Sequence, residues 1–143
     1  MTDNDRALCA ATARLLQASG VLAAWSLALA IASMGVLALA EQSLASWLAF
    51  VAVLLLGLPE RYLAFRLRLD SGLFNDLAQE RIASLNALDH ALDRLDLRKP
   101  SNDGSRGLED RVAGARKLLQ RHGFLIVCQS VFFVIALLTQ GVR

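Results

Sequence analysis

Leu15–Ala40 reads LLQASGVLAAWSLALAIASMGVLALA, 26 residues without a single charge. A helix rises about 1.5 Å per residue, so ~20 such residues cross the ~30 Å hydrocarbon core of a bilayer. Two more uncharged runs follow, Gln42–Pro59 with 18 residues and Gly123–Val142 with 20. Together they set the expected fold class, an all-α membrane protein. Three transmembrane helices are expected at about 18–40, 43–63 and 123–141 in one membrane domain, 1–143. A cytoplasmic antiparallel helical hairpin, about 73–122, is expected between spans 2 and 3.

Composition supports this reading. The chain is 55% hydrophobic and 20% charged, more apolar than soluble domains of its size, and its charges avoid the three runs. A net charge of +2, with no basic patch interleaved with aromatics, gives no reason to expect a nucleic-acid partner. Cys9 precedes the first run and Cys128 lies in the third, so no disulfide framework is expected. Ala38-Leu39-Ala40 has the small-x-small form of a signal cleavage site. The apolar stretch before it exceeds the ~7–15 residues of a signal h-region, which favours an uncleaved span.

Positive charge near span ends sets orientation. Of 15 Lys and Arg, 12 lie between Arg61 and Arg121, and none lies in the turn around Glu41-Gln42-Ser43. The expected topology is an inner (cytoplasmic) membrane protein, bacterial in type, with its N-terminus cytoplasmic and its C-terminus extracytoplasmic. Tyr62 then falls at the inner interface and Trp47 near the outer one.

Helices in lipid associate through small residues that let backbones approach. Gly20, Ala24, Ala28 and Ala32 in span 1 and Ala45, Ala49 and Gly57 in span 2 stand on four-residue spacing, so these rows are expected to join the two spans. Span 3 carries Gln129 and Ser130 near mid-depth, where a polar pair faces protein or a cavity. The ordinary role is an interhelical hydrogen bond; the sharper one is a pore lining. No acidic or basic residue lies deep in any run, which argues against a proton relay, a voltage sensor or an ion-coupled transporter.

Pro59-Glu60 marks the inner end of span 2. A short helix at 61–69 is expected to leave the membrane surface, with a break at Asp70-Ser71-Gly72. From Leu73 to Leu97 a coiled-coil-like seam runs through Phe74, Ala78, Ile82, Leu85, Leu88, Leu92 and Leu95. Lys99-Pro100-Ser101-Asn102-Asp103-Gly104 ends that helix. A returning helix from about Gly107 presents Leu108, Val112, Ala115 and Leu119, which match Leu95, Leu92, Leu88 and Leu85 in antiparallel register. Phe74, Leu77, Ala78 and Ile82 are left over; the membrane surface, the short helix at 61–69 and another subunit are the candidate partners, with another subunit expected.

Asp89, His90, Asp93 and Asp96 cluster on the seam helix, but a metal needs three or four converging ligands, so a solvated polar face is the plainer reading. His122 reads as an interfacial histidine. No phosphate loop, nucleophile elbow or paired-carboxylate motif occurs, and no enzyme activity, cofactor, metal or small-molecule substrate is expected. Arg61, Arg66, Arg68, Arg116, Lys117 and Arg121 fall near the inner surface, where basic residues both set topology and attract anionic headgroups. The expected function is a non-enzymatic scaffold or accessory subunit, partnered by the lipid bilayer and by a second copy or another protein. The alternative is a homo-oligomeric pore or membrane-permeabilising effector lined by span 3.

Overall fold

The structure, a computed structural model, describes residues 2–82 and 107–140. Its elements are three helices, α1 (Asp3–Leu39), α2 (Leu44–Ala78) and α3 (Leu108–Gln140), with no strand among the described residues. All three are long and apolar enough to cross a membrane. They hold 37, 35 and 33 residues, about 50–56 Å each, so every helix outruns a ~30 Å hydrocarbon core.

α1 and α2 form an antiparallel pair joined by a tight turn. Ala40 caps α1 and Ser43 caps α2, its hydroxyl accepting from the Ser46 backbone N–H at 3.2 Å. α3 packs beside them, most extensively on α2. Burial repeats every seven residues in each helix. The buried rows are Thr12, Ser19, Ser26 and Ser33 on α1, Ser46, Val53, Glu60, Leu67 and Phe74 on α2, and Ala115, His122, Gln129 and Ala136 on α3. A seven-residue inward row is the signature of left-handed, coiled-coil-like packing.

The small-residue rows lie elsewhere. Gly20, Ala24, Ala28 and Ala32 are exposed, as is Ala45; only Ala49 is buried and Gly57 half-buried. Hydroxyls took the inward face of α1 instead. A serine is nearly as small as alanine, so it still lets backbones approach. In this row Ser26 bonds Glu60 of α2, Thr12 and Ser19 donate to the Leu8 and Leu16 carbonyls of α1 itself, and Ser33 Oγ has no partner.

Helix boundaries also differ from expectation. α1 begins at Asp3, far before the first apolar run. α2 passes through Asp70-Ser71-Gly72 without a break and ends at Ala78. Capping chemistry at 70–72 is overridden by packing: Leu67, Phe74 and Leu77 hold one face of α2 in the core, and Ser71 Oγ donates to the Ala13 carbonyl at 3.1 Å. Burial pushes the Asp70 carboxyl up, and Arg66 works against it.

Two apolar cores fill the ends. At the turn end, Phe50 meets Phe133 edge to face at 5.8 Å, beside Ala49 and Ala136. At the opposite, charged end, Cys9, Ala13, Leu16, Leu67, Phe74, Leu77 and Ala115 form the larger core, with Ala78, Ile82, Leu108, Val112 and Leu119 packed on it. The leftover residues of the seam therefore find their partner inside the chain. The first turns of α1, which precede the expected span 1, bring Cys9 and Ala13 into the same core as Phe74 and Leu77.

Candidate functional site

Glu60 ends the second uncharged run and His122 immediately precedes the third. Both side chains are 0% exposed. His122 Nε2 lies 2.8 Å from Glu60 Oε1. Ser26 Oγ donates to Glu60 Oε2 at 2.8 Å, and Arg61 Nε donates to the same oxygen at 2.9 Å. A second Arg61 nitrogen donates to the Ala23 carbonyl. One carboxylate thus gathers donors from all three helices. By helical rise this layer lies about 20–27 Å from the turn ends of the helices, still within reach of a ~30 Å apolar core.

A second layer lies toward the turn. Gln129 is 0% exposed, and its Nε2 donates to the Val53 carbonyl at 3.2 Å and the Ser26 carbonyl at 3.4 Å. Gly57 lies beside it: a Cβ there would meet Gln129 Nε2 at 3.5 Å, an ordinary contact. Ser130 points away from this centre. Its hydroxyl donates to the Ile126 carbonyl at 2.9 Å and accepts from Trp25 Nε1 at 3.2 Å. At the turn, Ser46 Oγ donates to the Ala136 carbonyl at 3.0 Å and Ser43 Oγ to the Thr139 carbonyl at 3.1 Å. Three polar levels therefore tie α3 to the α1–α2 pair. Three buried polar atoms near these levels have no hydrogen-bond partner: His122 Nδ1, Gln129 Oε1 and Ser33 Oγ.

Glu60 and His122 were absent from the candidate residues drawn from sequence. Glu60 stood as a boundary residue and His122 as an interfacial one, whereas they are the most deeply placed ionisable pair among the described residues. The signal that points to them is the seven-residue row of hydroxyls through Thr12, Ser19, Ser26 and Ser33, which marks the inward face of α1.

The remaining candidates fall in distinct places. Leu108, Val112, Ala115 and Leu119 share the charged-end core with Phe74, Ala78 and Ile82. Leu85, Leu88, Leu92 and Leu95 lie outside the described residues, as do Asp89, His90, Asp93 and Asp96. Arg61, Arg66, Arg68, Arg116, Lys117 and Arg121 are exposed on the charged half. Among the described residues no group of three or more His, Cys, Asp or Glu could hold a metal ion.

Comparison with known proteins adds no relative: no family model, no curated protein and no solved structure matches the chain.

Proposed function

We propose that the chain is a non-enzymatic membrane scaffold or accessory subunit that presents its charged end, and the segment between α2 and α3, to a partner. The observation that carries this reading is the core formed by Cys9, Ala13, Leu16, Leu67, Phe74, Leu77 and Ala115. Each helix exceeds the ~30 Å hydrocarbon core by about 20–25 Å. That excess is a packed three-helix stalk, which anchoring alone does not require. Its far end is fastened by the Arg6–Glu80 ion pair, which sets the start of α1 beside the turn after α2.

In this reading the stalk stands on the cytoplasmic side, in keeping with the concentration of Lys and Arg between Arg61 and Arg121. The heptad residues Leu85, Leu88, Leu92 and Leu95 supply the docking surface, for a second copy or another protein. A pore lined by span 3 has less support. Gln129 is consumed inside a single-chain bundle, and the outward face of α3 is Phe124, Val127, Val131, Ile135 and Leu138.

In-cell crosslinking of the full chain tests the reading. Leu85→Asp with Leu92→Asp should abolish crosslinked species while membrane insertion persists. Unchanged crosslinks, or ion flux from liposomes holding the purified protein, would overturn it. A cysteine in place of Gly104 should be labelled from the cytoplasmic face alone.

A further inference from the structure

Two of the exposed small residues of α1, Gly20 and Ala24, do have a structural setting. Between α1 and α2, on the charged half of the bundle, lies a groove of about 960 Å³. Its floor includes Ala13, Ser19, Gly20, Ala23, Ala24 and Ala64. Arg14, Arg61 and Arg68 line it, and no acidic residue does.

The hydrogen bonds Ser71–Ala13, Arg61–Ala23 and Ser26–Glu60 fix one antiparallel register for the two helices. In that register Arg14 and Arg68 stand within about 5 Å of each other along the axis, on opposite walls. Arg61 lies about 10–14 Å deeper, already engaged by Glu60 and the Ala23 carbonyl. Arg14 and Arg68 make no hydrogen bond or ion pair among the described residues. The groove therefore has two uncommitted cations at its outer end and an Ala/Gly floor running toward the bilayer centre. That gradient matches one class of ligand, an amphiphile with an anionic head and an apolar tail. Basic pockets between helices at a membrane surface take such headgroups.

We propose that the α1–α2 groove is a binding site for one anionic phospholipid. Its phosphate is held between the Arg14 and Arg68 guanidiniums, and its glycerol and upper acyl chain lie along Gly20, Ala23 and Ala24. Gly20, Ala23 and Ala24 are small because a lipid, and not a helix, covers them. Phosphate between two guanidiniums makes charge-assisted, bidentate hydrogen bonds, which a zwitterionic lipid would share with its own cation.

Native mass spectrometry of the purified full chain, incubated with equal phosphatidylglycerol and phosphatidylcholine, reads this directly. Retained phosphatidylglycerol should exceed phosphatidylcholine at least tenfold. Arg14→Gln with Arg68→Gln should remove most of that excess, whereas Arg81→Gln, outside the groove, should not. Gly20→Leu separates the groove from general surface charge. A Cβ at Gly20 meets no atom within 4 Å, so a side chain there starts into the open groove and occupies its floor. It should retain less phosphatidylglycerol at a melting temperature no lower than that of the unaltered chain, because leucine favours a helix interior over glycine. Equal retention of both lipids, full retention by the double Gln variant or by Gly20→Leu, or displacement of the lipid by millimolar inorganic phosphate would each overturn the proposal. So would a dimer that replaces the lipid and depends on the same residues.

Discussion

Glu60 shows how a single side chain can organise a membrane bundle. A carboxylate in an apolar setting is costly unless its oxygens are occupied, and here Ser26, Arg61 and His122 occupy them. Glu60→Ala should lower stability by about 1–3 kcal/mol, the cost of leaving the buried His122 Nε2 and Ser26 Oγ without their partner. The Glu60→Ala/His122→Ala cycle should show a coupling of about 1–3 kcal/mol in reversible unfolding from mixed micelles. Additive effects would mean the contact contributes nothing of its own. The serines on the same face separate cleanly. Ser33 Oγ is buried without a partner, so Ser33→Ala should stabilise by about 1 kcal/mol; Ser26→Ala should destabilise by a similar amount. Neither role is visible from spacing alone. Ser26 and Ser33 stand on the same row, and only their neighbours on α2 and α3 distinguish them.

At the level of the element, α2 ends by a mechanism its sequence conceals. The Arg81 N–H bonds to the Asp76 carbonyl at 3.0 Å and the Glu80 N–H to the Leu77 carbonyl at 3.3 Å, the paired bonds of a Schellman cap. That motif needs a left-handed residue, usually glycine, yet Glu80 holds it with φ 58°. Glu80→Gly should be more stable than Glu80→Ala by about 1 kcal/mol, measured by thermal unfolding. Both changes delete the Arg6 ion pair equally, so the difference isolates the backbone. Sequence favoured a break at Asp70-Ser71-Gly72, where cap and breaker residues cluster. The helix continues because burial of Leu67, Phe74 and Leu77 outweighs a propensity cost of roughly 1 kcal/mol. By contrast the start of α3 was legible: acids at Glu109 and Asp110 sit in its first turn, as the helix dipole favours.

Across the whole molecule, the stalk is a single packed body made from three separated stretches of chain. Phe74 is 6% exposed in its core. Phe74→Ala should cost about 3–5 kcal/mol and release the first turns of α1. Limited proteolysis should then cut within residues 3–17 while the membrane-embedded parts stay protected. If those residues remain protected, the stalk does not depend on this core. The apolar stripe through Leu108, Val112, Ala115 and Leu119 could be read directly, because charged residues are interspersed with its members and amphipathic spacing is informative there. The covering of Phe74 by Cys9, Ala13 and Leu16 could not, since nothing in α1 marks those residues as belonging to a core some 60 residues away.

What the amino-acid sequence determined by itself was the number of helices that can cross a membrane and roughly where they lie. Transfer of an uncharged run into lipid depends on its length and composition, both of which are local. The tertiary structure alone decided which face of each helix turns inward. A helix apolar on every side offers lipid no preferred face, so the choice falls to the few polar groups that must satisfy one another. Ser26, Glu60, His122 and Gln129 come from three helices, and only when those helices pack do their hydrogen bonds exist.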